Sequence, residues 1–97
     1  MTYVDAIKTL LEAIKEETSA DAISIICYEE TKRYSLSQLD EIIEYVEAVD
    51  DVTGIRAFSG ANSLGWFGIE PLNDDLLDVI YDYTDNDYCA KIMDKLN

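Results

Sequence analysis

Carboxylates are the residues of this chain whose number and spacing could do chemistry. Between Tyr34 and Ala90 stand thirteen of them: Asp40, Glu41, Glu44, Glu47, Asp50, Asp51, Glu70, Asp74, Asp75, Asp78, Asp82, Asp85 and Asp87. A single cation, Arg56, accompanies them. Paired carboxylates can hydrolyse glycosides, clustered ones can bind hard cations, and ordered rows can present a polyanionic face. Hydrolysis needs one pair set apart by its surroundings, and no pair here is. The chain also has no histidine, so it lacks the usual neutral-pH base and the commonest metal ligand. No catalytic residue is expected.

Other sites are excluded by spacing. Asp82, Asp85, Asn86 and Asp87 suggest a calcium loop, but no glycine stands at its sixth position and position twelve is Met93. A helix-capping turn is the better reading, and neither a metal nor a cofactor is expected. Gly54, Gly60, Gly65 and Gly68 fit neither a dinucleotide fingerprint nor a P-loop. Gly60-Ala61-Asn62-Ser63-Leu64 resembles the stretch around the carrier serine of acyl carrier proteins. The helix that begins at that serine would not tolerate Gly65, Gly68 and Pro71.

Order along the chain gives the acids a pattern. Asp40, Glu44, Glu47 and Asp51 recur at steps of four, three and four, which aligns them on one face of a helix. Their axial spacing would be roughly 4.5–6 Å, comparable with the rise of about 3.4 Å between phosphates of one DNA strand. Asp74, Asp78 and Asp82 form a second row at steps of four. Neither row contains a base. Ordinary helices place lysine at such positions, whereas like charges there cost about 0.2–0.5 kcal/mol per pair. Local stability is given up for charge. Tyr45 lies inside the first row, and Tyr81, Tyr83 and Tyr88 accompany the second. Tyrosine among carboxylates suits a lysine- and arginine-rich partner surface.

These rows need elements to position them. The 97 residues are 48% hydrophobic, with net charge -14; one folded domain over 1–97 is expected. The apolar spacing from Val4 to Ile14 predicts a helix over 3–17, opened by Thr2. Ile23–Tyr28 and residues 32–36 read as a hairpin around Glu29-Glu30-Thr31, although the first run could instead be helical. Ser37 is the expected N-cap of a helix over 38–50. Residues 55–58 and 64–69 read as two strands joined by the 59–63 loop. Helices over 74–83, capped by Asn73, and over 87–96 complete an α+β chain: helix, hairpin, helix, hairpin, helix, helix, with an antiparallel sheet. Cys27 and Cys89 sit among apolar residues and are expected as buried thiols, which with the absent signal-peptide pattern indicates the cytosol.

Small size, acidity, base-free rows and the absence of a catalytic motif make the chain resemble the small acidic DNA-mimic proteins of phages and mobile elements, such as anti-CRISPR and anti-restriction inhibitors. The resemblance is compositional and covers about residues 38–87. It implies a non-catalytic inhibitor in the (host) cytoplasm, whose partner is a basic nucleic-acid-binding protein or nuclease, with no direct binding of nucleic acid and no membrane. The expected contact residues are Asp40, Glu44, Glu47, Asp51, Asp74, Asp78, Asp82 and Tyr45. Two other readings stand beside it: an acidic immunity or antitoxin-like protein that neutralises a basic toxin, and an acidic domain with no charged partner. The Gly65-Trp66-Phe67-Gly68 strand could serve the core or a homodimer.

Overall fold

A computed structural model describes residues 3–49, 52–69, 80–82 and 87–96. It is a small compact α+β domain. Helix α1 (Tyr3–Glu17) leads into strands β1 (Ala22–Cys27) and β2 (Thr31–Ser35). A 3-10 turn (Leu36–Gln38) then opens helix α2 (Leu39–Val49). Strands β3 (Val52–Ser59) and β4 (Asn62–Ile69) follow, then the short β5 (Ile80–Asp82) and helix α3 (Asp87–Leu96). The strands form one antiparallel sheet in the order β2-β1-β3-β4-β5.

One core lies between the helices and one face of this sheet. Ala6, Ile7, Leu10, Leu11, Ala13 and Ile14 bury the apolar stripe of α1. They share a cluster with Ile23, Ile25, Ile55 and Phe67 of the sheet, Ile42 and Val46 of α2, and Ile92 of α3. Residues alternate across a strand, so the opposite face receives the other set. In one cross-strand row it carries Arg33, Ser24, Arg56 and Trp66. None of these four belongs to the core cluster.

The structure bears out the strand reading of the Ile23 run over its helical alternative and corrects other expectations. The Ile23 run is a strand: flanked by β2 and β3, it is buried at five of its six positions, which leaves no alternation to reveal its period. Ser37 is not a cap. Ser35 caps instead, through a reciprocal arrangement in which the Gln38 side chain accepts from the Ser35 backbone N–H. Strands β3 and β4 extend the expected hairpin down to a two-residue turn at Gly60-Ala61. Gly60 has φ +59°, as the tight turns that match strand twist require.

The helix expected over 74–83 cannot run to its end, because residues 80–82 are strand β5, paired with Phe67, Gly68 and Ile69. Without it the outer edge of β4 would keep unpaired backbone groups, and Ile80 and Tyr81 favour an extended conformation. The rest of that expected helix, and its Asn73 cap, lie outside the described residues, as do Thr2 and the 84–86 turn. Among the described residues no helix is long and apolar enough to cross a membrane.

Gly54 faces the outer side of β3, where the Trp66 indole lies across it. A Cβ at position 54 would meet Trp66 Nε1 at 2.7 Å and the Phe67 carbonyl oxygen at 3.1 Å. The carbonyl belongs to the paired strand and cannot yield. Gly54→Ala should therefore cost about 1–3 kcal/mol, read as a fall in the thermal unfolding midpoint.

Candidate acidic interface

Helix α2 separates its two faces cleanly. Ile42 and Val46 are buried, whereas Asp40, Glu44 and Glu47 are exposed. Helix α2 is described to Val49, and Asp51 lies outside the described residues. Asp74 and Asp78 also lie outside them. Asp82 is on β5 opposite Phe67, so the second row is not one continuous helical stripe. Of the eight expected contact residues, α2 brings together four: Asp40, Glu44, Glu47 and Tyr45.

The ion pairs among the described residues are made elsewhere. Lys95 of α3 bridges Glu16 and Glu17 at the end of α1, the latter at 3.2 Å. Of the described cations, Lys32 stands over the Tyr45 ring, and Lys8 shares a shallow hollow of about 240 Å³ with Asp40, Glu12, Leu11, Leu39 and Ile43. It makes no ion pair with Asp40 among the described contacts. Among the described residues no α2 carboxylate is part of an ion pair.

Tyr45 is committed within the fold. Its hydroxyl donates to Glu30 Oε1 at 2.6 Å and lies 3.8 Å from Cys27 Sγ. Its ring meets Tyr34 at 5.8 Å between centroids, and Lys32 Nζ stands 4.9 Å above it. The bond to Glu30 raises the phenol well above the ordinary tyrosine range, with burial and the Cys27 contact adding to it. The native state thus holds a proton that the unfolded chain releases near pH 10. The stability this contributes is complete below about pH 10 and is lost as pH rises beyond it. Tyr45→Phe should cost about 1 kcal/mol at neutral pH and flatten the alkaline decline, measured by denaturant unfolding at neutral and strongly alkaline pH.

This contact also draws in residues that spacing alone did not select. The β1–β2 turn brings Glu29 and Glu30 beside Tyr45 and Val49, where they line a hollow with Cys27. At its tip Tyr28 is 88% exposed. The acidic surface is therefore α2 together with this turn. The sequence signal was present in Tyr28-Glu29-Glu30, but only strand pairing shows that the turn meets α2. Cys27 is buried, and the Cys89 side chain lies outside the description.

Among the described residues, no group of three or more cysteines and acids is arranged to hold a metal ion. No protein-family model, curated protein or solved structure matches the chain.

Proposed function

We propose that this chain is a non-catalytic inhibitor that occupies the basic nucleic-acid-binding surface of a target protein, its carboxylates standing in for phosphates. The observation that carries this reading is the α2 face, where Asp40, Glu44 and Glu47 are exposed while the described ion pairs form at Lys95. A row of like charges on one helix costs local stability. It gains a field that steers a basic partner and releases ions on contact. Glu29 and Glu30 widen the same surface.

The test is affinity capture on the immobilised chain at low salt, with and without added duplex DNA. Basic nucleic-acid-binding proteins should be retained, displaced by DNA, and released as salt rises. Retention that DNA does not disturb would replace this reading with a second, neutralisation of a basic toxin away from its substrate groove. That second reading is favoured by one observation: the exposed Tyr28 beside Glu29 and Glu30 has the form of an aromatic anchor.

A further inference from the structure

The described strand residues on the outer face of the sheet carry a charge opposite to the chain's net charge. Among the described strand residues, the only charges on this face are Arg33 and Arg56, in a chain of net charge -14. Both guanidinium groups lie over aromatic rings. Arg33 lies 4.5 Å from the Phe58 centroid and donates to the Gly60 carbonyl at 2.8 Å, and Arg56 lies 5.1 Å from the Trp66 centroid. The nearby carboxylate of Asp21 accepts from the Gly60 N–H instead. Each arginine thus keeps donors for an incoming carboxylate while its rotamer is already fixed, which lowers the cost of binding.

Charge complementarity points to an occupant, and the backbone spacing is compatible with it. Arg33 and Arg56 stand in one row on β2 and β3, with Ser24 of β1 between them, so their strands are about 9.5 Å apart. On α2, Asp40 and Glu47 are seven residues apart, which puts them on one face with an axial separation of about 10.5 Å. The described helices all pack against the other side of the sheet, and a second helical layer would complement the described arginines of this one. We propose that this face docks α2 of a second copy, Arg33 and Arg56 pairing with Asp40 and Glu47.

The arginine row and the acidic row point away from opposite sides of the domain. The contact is therefore intermolecular and heterologous, and it propagates head to tail rather than closing. Net repulsion between copies does not prevent it. The Debye length is about 8 Å at 0.15 M salt, while the thinnest dimension of the domain is 21 Å, so bulk repulsion is screened and contact pairs survive. This goes beyond the inhibitor reading and does not depend on it, since Arg33 and Arg56 have no part there.

Sedimentation equilibrium of the purified chain at ~0.15 M salt tests the proposal over a concentration series. The average mass should rise steadily above the 11.0 kDa monomer. Arg33→Glu/Arg56→Glu and Asp40→Lys/Glu47→Lys should each be monomeric alone. Mixed in equal amounts, they should associate again and grow with concentration, because the native face meets the native row and the reversed face meets the reversed row with opposite charge. Arg33→Glu alone, at the exposed position, repeats the test without disturbing the half-buried Arg56, and should weaken association at least tenfold. A wild-type chain that stays monomeric to millimolar concentration overturns the proposal. So does undiminished association of Arg33→Glu, or a mixture of folded variants that remains monomeric.

Discussion

Phe67→Ala should remove about 3–5 kcal/mol of stability, a large part of the usual total of about 5–15 kcal/mol. Phe67 is completely buried and is the largest of the fully buried side chains among the described residues. It sits on β4 opposite Ile55 of β3 and Asp82 of β5, facing the core shared with α1, α2 and α3. Truncation loses the transfer energy of the ring and leaves a cavity that a sheet held by hydrogen bonds on both sides cannot close. Urea unfolding followed by far-UV circular dichroism measures the loss. Phe67→Leu, which keeps most of the volume, should cost roughly half as much or less.

Glu44→Lys/Glu47→Lys should move stability and binding in opposite directions. In the native row Asp40 and Glu44 are four residues apart and Glu44 and Glu47 three, both on exposed helix surface. Reversing Glu44 and Glu47 replaces the Asp40–Glu44 repulsion with an attraction, at about 0.2–0.5 kcal/mol for each change. The variant should melt at the same temperature or slightly higher. Its affinity for a basic target should fall about 100-fold near 0.1 M salt, corresponding to about 2.7 kcal/mol, and its salt dependence should flatten. Thermal unfolding and a binding titration against the captured target, both on the same preparation, read the two effects. A variant that binds as tightly as the parent would sink the proposal that α2 is the phosphate mimic.

The two effects separate because core and charge occupy different faces of α2. Ile42 and Val46 hold the helix to the sheet, and Asp40, Glu44 and Glu47 contribute nothing to that packing. Tyr45, at the boundary, is tied into the fold by Glu30 and Lys32. Its replacement would perturb the helix as well as any partner contact, which makes it a poor test residue for binding.

Local spacing made most of the elements readable. Helical periodicity marked α1 from Tyr3 to Glu17 and α3 from Asp87 to Leu96, and polar turns marked both long hairpins. It failed where long-range pairing overrides local preference. The acids of 74–82 fit a helical template, yet residues 80–82 are extended, because the backbone edge of β4 gains hydrogen bonds by pairing with them. Ser37 looked like a cap by type, but Ser35 is the residue with a glutamine three positions on to reciprocate.

By itself the sequence determined an acidic α+β domain, a helix with one apolar and one carboxylate face, and the absence of any catalytic histidine. These follow from residue type and from periods of two and 3.6, which are local properties. Tertiary structure alone decided which distant residues share a surface. Pairing β1 with both β2 and β3 set Arg33 and Arg56 in one row on a face whose described strand residues include no acid. Packing α2 against β1 and β2 put Glu30 on Tyr45. Register between strands is fixed by the common core and not by neighbours in the chain. The carboxylate row was therefore legible from its spacing, while the arginine row on the opposite face was not.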